Sequence, residues 1–99
     1  MSFERIDNGD ETLLKISGTL DALSAPDLRP VVDEIIEAQR PKVRVDASGL
    51  RLIDSSGVGV IVSLYKRQRA QNGDFAIDGL RDQPLAIFKL LRLDRVFSF

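Results

Sequence analysis

A short polar stretch near the middle of the chain contains the residue types that can carry chemistry. Residues 54–59 read Asp-Ser-Ser-Gly-Val-Gly, and apolar sequence lies on both sides. A serine at a helix N-terminus can carry a phosphate, because free backbone N–H groups and the helix dipole favour an anion there. Asp and Ser are also ordinary helix N-caps. The pattern therefore leaves two interpretations, a cap or a phosphate-accepting serine.

Two glycines in this stretch favour the second interpretation. Gly57 and Gly59 fall in the first turn of the predicted helix, where glycine costs about 1 kcal/mol relative to alanine. We expect them to leave the neighbouring hydroxyls uncovered and to let another surface approach. The Gly-x-Gly pattern lacks the remaining residues of a P-loop or of a dinucleotide fingerprint, so it does not predict nucleotide binding.

The composition excludes most other kinds of site. The 99 residues include no cysteine and no histidine, which excludes disulfides, the usual zinc sites and a Ser-His-Asp triad. The formal net charge of -1 does not indicate nucleic-acid binding. No apolar segment has the length of a membrane span, and no signal peptide begins the chain. We expect one cytoplasmic domain over residues 1–99, with no catalytic residues, no metal and no cofactor.

The first half of the chain predicts a hairpin and a helix. Residues 2–7 and 11–17 flank Asn8-Gly9-Asp10, and Asn-Gly is a dipeptide typical of a type I′ turn. An apolar stripe with helical spacing then predicts a helix over residues 25–39. Its start is left open between capping by Ser24, in a capping box, and capping by Asp27.

The second half predicts two strands and two helices. Residues 42–46 read as a strand, residues 47–51 as a loop, and a helix follows Asp54 with Asn72-Gly73 as its C-terminal cap. Residues 74–78 read as a further strand. The chain then shows a third apolar helical face (Pro84, Ile87, Phe88, Leu91) and a last strand or packed tail over residues 95–99, with Phe88, Phe97 and Phe99 in the core.

The order of these elements is ββαβαβα(β), where the parentheses mark residues 95–99 as either a last strand or a packed tail. It predicts an α/β fold in which three or so helices pack mainly on one face of a mixed β-sheet.

Three segments of the chain resemble motifs of the STAS domain family and, within it, of the bacterial anti-sigma-factor antagonists, and they occur in the same order as in that family. Residues 17–28 (SGTLDALSAPDL) resemble the turn before the first helix, and residues 43–54 (VRVDASGLRLID) resemble the central strand. Residues 54–73 (DSSGVGVIVSLYKRQRAQNG) resemble the family's signature and the helix after it. The resemblance covers nearly the whole chain and implies a STAS-like single domain.

The resemblance also implies a function. Such proteins bind an anti-sigma factor that is a serine kinase of the GHKL ATPase type, and phosphorylation of the antagonist releases the complex. A PP2C-type phosphatase restores the serine. By position, Ser56 is the phosphorylated residue, and the partner-binding residues are Asp21, Asp54, Ser55, Ser56, Gly57, Val58 and Gly59.

Two alternatives stay open. The chain ends at Phe99 without the additional C-terminal helix common among antagonists, which leaves room for a non-switching STAS scaffold subunit of a stressosome or a lipid-transport complex. In that case Ser56 serves only as a cap. A small hydrolase using Ser56 is poorly supported, because the sequence offers no general base near it.

Overall fold

The computed structural model describes residues 1–97, which form four strands and four helices. In chain order these are β1 (Ser2–Asn8), β2 (Glu11–Leu20), α1 (Ala25–Glu37), β3 (Lys42–Ile53), α2 (Ser55–Ala70), β4 (Asp74–Asp78), α3 (Asp82–Leu90) and α4 (Asp94–Phe97). The predicted α/β class is confirmed.

The sheet is mixed and its strands lie in sequence order, β1-β2-β3-β4. β1 is antiparallel to β2, whereas β2, β3 and β4 run parallel to one another. Both parallel connections step in the same direction, and such crossovers are right-handed, so α1 and α2 lie on the same face of the sheet. The opposite face is open, and Arg44 there pairs with Glu11 (2.9 Å) and Asp78 (2.7 Å).

The hairpin between β1 and β2 is tighter than the sequence predicts. Asn8 pairs with Glu11, so the loop consists of Gly9 and Asp10. Within this loop only Gly9 has a positive φ, of 61°. That pattern belongs to a type II′ turn, so the prediction of a type I′ turn centred on Asn-Gly is wrong by one residue.

Helix α1 begins at Ala25 and uses neither of the two predicted side-chain caps. Ser24 occupies the N-cap position but makes no side-chain cap hydrogen bond, so no capping box forms. Asp27 lies inside the first turn, which excludes it as the cap. Pro30 therefore falls inside the helix, where it removes a backbone donor.

Strand β3 continues through residues 47–51, which the sequence predicts as a loop. The pairing with β2 shifts twice, once between Asp46 and Gly49 and once between Leu50 and Leu52. Each shift places one extra residue in β3, which is a β-bulge. The core-facing residues after Val45 are Ala47, Leu50 and Ile53, so their spacing becomes three and the alternation expected of a strand is lost.

The end of α2 has the predicted cap at Asn72-Gly73. Asn72 adopts the left-handed conformation (φ 63°), and the Gly73 N–H donates to the Gln68 carbonyl at 2.9 Å. These features define a Schellman motif in which asparagine, not glycine, takes the left-handed position.

The sequence leaves residues 95–99 open between a last strand and a packed tail, and the strand is wrong for the part that the structure describes. Asp94–Phe97 is a short helix, and the Phe97 ring packs against the rings of Tyr65, Phe75 and Phe88. Phe88 is fully buried, as predicted. Phe99, also predicted as core, lies outside the described residues.

Candidate functional site

Asp54 connects the start of α2 to the loop between β2 and α1. Its Oδ1 accepts a hydrogen bond from the Gly57 N–H (3.0 Å), which caps the helix. Its Oδ2 accepts from the Ala22 N–H (3.1 Å) in the loop. One carboxylate therefore caps α2 and also fixes the position of residues 21–24, which we call the acidic loop.

Hydrogen bonds within the acidic loop order it further. Asp21 Oδ1 accepts from the N–H groups of Leu23 (3.0 Å) and Ser24 (3.1 Å). The Ser24 N–H, followed by smaller contributions from Leu23 and the Ser24 hydroxyl, holds the pKa of Asp21 below its ordinary value. Ser24 Oγ accepts from the Asp21 N–H and donates to the Thr19 carbonyl. These hydrogen bonds fix the backbone at Leu23, whose side chain is 89% exposed.

The two serines that follow Asp54 remain unused. Ser55 is exposed and Ser56 is half-buried. Within residues 1–97, neither hydroxyl makes a hydrogen bond, and neither do the two backbone N–H groups. Because Asp54 alone supplies the cap, the interpretation of this stretch as capping chemistry applies to the aspartate and leaves the serines available.

The two glycines differ in environment. A Cβ on Gly57 would lie 2.5 Å from the Leu20 carbonyl oxygen and 2.7 Å from Cγ1 of Ile53, so this glycine permits close backbone packing. A Cβ on Gly59 would meet nothing within 4 Å. The expectation that both glycines uncover the hydroxyls is therefore wrong for Gly57. Val58, also predicted to bind the partner, is 6% exposed and its side chain packs in the core.

Gln83 holds the end of β3 in place just before Asp54. Its side-chain amide accepts from the Ile53 N–H and donates to the Ile53 carbonyl, both at 2.9 Å. The side chain thereby replaces a neighbouring strand at a position that β4 does not reach. The sequence analysis missed Gln83, because a glutamine in the first turn of a helix gives no signal of a partner 30 residues away.

These groups lie where the carboxyl ends of β2 and β3 meet, the edge at which open parallel sheets bind their ligands. Both oxygens of Asp54 already accept backbone N–H groups, so this carboxylate is not placed to act as a base toward Ser56. No helix within residues 1–97 is long and apolar enough to cross a membrane.

The chain is similar in sequence to a known protein and in fold to solved structures. The chain is 28% identical over 91 residues to the anti-sigma-B factor antagonist of Bacillus subtilis (strain 168), a match that covers 92% of this chain and 83% of that protein. An anti-sigma factor antagonist from Mycobacterium paratuberculosis has a similar structure (TM-score 0.88, 20% identity, 97% of this chain and 81% of that one). So does the phosphorylated form of the Bacillus cell fate determinant SpoIIAA (TM-score 0.77, 18% identity, 95% and 86%).

The sequence also matches the family model described as "Mlab, STAS domain" over residues 5–98. That match spans nearly the whole chain and includes every element of the site. The chain therefore belongs to the STAS domain family.

Proposed function

We propose that this protein is a non-enzymatic anti-sigma-factor antagonist that is switched by phosphorylation of Ser56. In its unphosphorylated form it binds an anti-sigma factor that is a GHKL-type serine kinase. Phosphorylation releases the complex, and a PP2C-type phosphatase restores the serine. The observation that carries the proposal is that the hydroxyls of Ser55 and Ser56, beside the ordered acidic loop, make no hydrogen bond within residues 1–97. The relative from Bacillus subtilis, named as an anti-sigma-B factor antagonist, supports the same role.

The start of α2 can accept a phosphate at little internal cost. The N–H groups of Ser55 and Ser56 have no hydrogen-bond acceptor within residues 1–97, and they lie at the positive end of the helix dipole. A phosphate on Ser56 would find these donors nearby. We assign the phosphate to Ser56 because this serine directly precedes Gly57 and matches the family position by resemblance.

Charge repulsion at the interface explains how phosphorylation would release the partner. A phosphoserine adds about two negative charges beside Asp54 and Asp21. A partner surface that fits the neutral serine then covers an unpaired dianion, which costs about 2–5 kcal/mol. A useful switch requires a coupling free energy of only about 1–3 kcal/mol, or a 5- to 150-fold change in affinity.

This mechanism requires no change of backbone structure. Asp54 fixes the acidic loop, and the Gly57 backbone is packed directly against Leu20, so the site has little freedom to rearrange. We expect the phosphorylated and unphosphorylated forms to have nearly the same backbone and to differ mainly in dissociation rate from the kinase. Amide NMR of both forms tests this: shifts confined to residues 54–60 and 21–24 support it, and shifts throughout the sheet and α3 contradict it.

The first experiment identifies the modified residue. The protein is incubated with ATP and each GHKL-type serine kinase of its host, and intact mass reports an added phosphate. We expect the phosphate on wild type and on Ser55→Ala, and none on Ser56→Ala. Phosphopeptide mapping that places the phosphate on Ser55, or phosphate still found on Ser56→Ala, would overturn the assignment.

A second candidate function is a non-switching STAS scaffold subunit of a stressosome or a lipid-transport complex. The match to a family model described by the Mlab STAS domain is the observation in its favour. Ser56 would then have no regulatory role. The two candidates differ in one measurement, because Ser56→Asp should leave partner affinity unchanged in a scaffold and reduce it at least fivefold in a switched antagonist.

A further inference from the structure

A groove of about 530 Å³ lies at the same edge of the sheet as the serines, and the mechanism above does not use it. Its lining includes Gly18, Thr19, Arg51, Leu52, Arg81 and Asp82. We call it the arginine groove.

Both arginines lie close to the end of β3. Arg51 is the extra residue of the second β-bulge, since Leu50 pairs with Gly18 and Leu52 pairs with Thr19 while Arg51 pairs with nothing in β2. Bulges of this kind re-aim a side chain. Arg81 immediately precedes α3, and Gln83 of that helix forms two hydrogen bonds with the backbone of Ile53. The same contact that secures the serine site therefore also secures the second arginine.

The charges of these two arginines are not compensated. Within residues 1–97, Arg51 and Arg81 are exposed and make no ion pair, whereas Arg44 and Arg67 each pair with a carboxylate at 2.9 Å or less. The one carboxylate that lines the groove, on Asp82, lies beyond ion-pair distance of both. The groove thus has two uncompensated cations.

An apolar side chain lines the same groove as these charges. Leu52 lines the groove and is 51% exposed, and Leu50 forms a buried apolar floor. A phosphate or a nucleic-acid backbone would neutralise the arginines and leave Leu52 in water. A peptide that carries carboxylates and an aliphatic side chain would satisfy both features.

We propose that the arginine groove docks an acidic, leucine-bearing segment of the partner protein. The identity of that partner rests on the proposed function; the chemistry of the groove does not. Leu52 precedes Asp54 by only two residues, and we expect a protein that covers Ser56 to extend to the groove. The partner would then meet acidic groups at one side of its footprint and basic groups at the other, which fixes its orientation.

A peptide titration tests the chemistry without the kinase. The acetylated, amidated hexapeptide EDLELD is added to ¹⁵N-labelled protein, and amide shifts are followed. Because exposed ion pairs are individually weak, we expect a dissociation constant of about 1 mM, with saturable shifts at Gly18, Thr19, Arg51, Leu52 and Arg81. The double variant Arg51→Glu/Arg81→Glu should bind at least about tenfold more weakly.

Matched controls decide between a peptide site and a general anion site. The double variant Lys66→Glu/Arg69→Glu makes the same charge change at two exposed positions in the C-terminal half of α2, and it should bind the peptide within about twofold of wild type. Inorganic pyrophosphate and a leucine-free peptide, EDGEGD, should give weaker shifts. Absence of saturable shifts, equal binding by Arg51→Glu/Arg81→Glu, or equal binding of EDGEGD or pyrophosphate would each overturn the proposal.

The titration also separates this inference from the proposed function. Peptide binding should be the same in Ser56→Asp, because the groove does not include the serine. Phosphorylation of Ser56 by a host kinase together with a negative titration would overturn the groove alone. A positive titration without phosphorylation of Ser56 by any host kinase would support the groove and overturn the switch.

Discussion

The two ends of α2 satisfy their polar groups to very different extents. At the C-terminal end, the side-chain amide of the fully buried Gln68 donates to the backbone carbonyls of Arg40 (2.9 Å) and Asp74 (3.3 Å). The side-chain carbonyl of Gln68 accepts from the Gln71 side chain (3.0 Å). At the N-terminal end, Asp54 is equally occupied, but the serines after it make no hydrogen bond within residues 1–97.

The polar groups at the C-terminal end of α2 therefore serve the fold, and those of the serines at its N-terminal end are open to a partner. Gln68 joins α2 to the turn before β3 and to the start of β4, and all its bonding groups are used within the domain. Unbonded donors and hydroxyls persist only where solvent or a partner can satisfy them. We therefore expect substitutions at the closed end to reduce stability, and substitutions of the serines at the open end to change binding.

The largest effect is expected at the closed end. Gln68→Ala removes the donor for the carbonyls of Arg40 and Asp74 and leaves a cavity, so it should lower the free energy of unfolding by about 3 kcal/mol. Urea denaturation measures the loss. The neighbouring exposed Arg69→Ala should change it by less than about 0.5 kcal/mol. A Gln68→Ala loss no larger than the control would contradict the structural role of this side chain.

The next effect compares two glycines of the open end. Gly57→Ala should lower the free energy of unfolding by about 1–3 kcal/mol, because its Cβ meets the Leu20 carbonyl oxygen. Gly59→Ala is the matched control, and it should raise stability by up to about 1 kcal/mol, since helix propensity improves without a clash. Thermal unfolding of both variants checks the pair. Equal signs would mean that α2 does not pack against Leu20 as described.

A smaller effect is expected for a negative charge at the serines. Ser56→Asp should change the free energy of unfolding by less than about 1 kcal/mol, because the helix dipole favours the charge while Asp54 opposes it. Ser55→Asp should behave alike in a thermal melt. Ser56→Asp should also weaken binding to the kinase. Unfolding of Ser56→Asp would show that the serine does not lie at the start of the helix.

The smallest effect is a pH dependence that arises in the acidic loop. Hydrogen bonds from Ser24 and Leu23 hold the pKa of Asp21 below its ordinary value of 3.8. The carboxylate therefore stabilises the fold above that pH, and the contribution disappears as the pH falls through the lower folded-state pKa. Asp21→Asn should be less stable than wild type at about pH 6, and the difference should shrink toward about pH 3. A difference that is constant with pH would exclude this role.

The helices and the place of the site were predictable because their signals are local. The apolar stripes of α1 and α2 follow helical spacing, and Asp54 caps the helix that its own neighbours form. β3 was cut short in the prediction because its two bulges change the spacing of buried residues from two to three. The strand alternative for residues 95–99 is wrong because Phe97 packs on Tyr65 from a short helix, a contact that the local sequence does not indicate.

The remaining errors concern contacts between distant residues. Gln68 and Gln83 bind backbone groups about 30 residues away, and a glutamine in a helix is ordinary in sequence. Gly57 and Gly59 are residues of the same type in the same helical turn, and only the position of Leu20 next to Gly57 distinguishes them. Periodicity and capping rules contain no information about such neighbours.

Side chains of a strand alternate between its two faces with a period of two, so the two bulges of β3 cancel each other's effect on side-chain direction. The first extra residue transfers every later side chain to the opposite face of the sheet, and the second transfers them back. Ile53 consequently points into the core, and Asp54 arrives in phase to cap α2. Loss of one extra residue would put this end of the strand out of phase, whereas loss of both would restore it. Changes of length in this strand should therefore be tolerated in pairs.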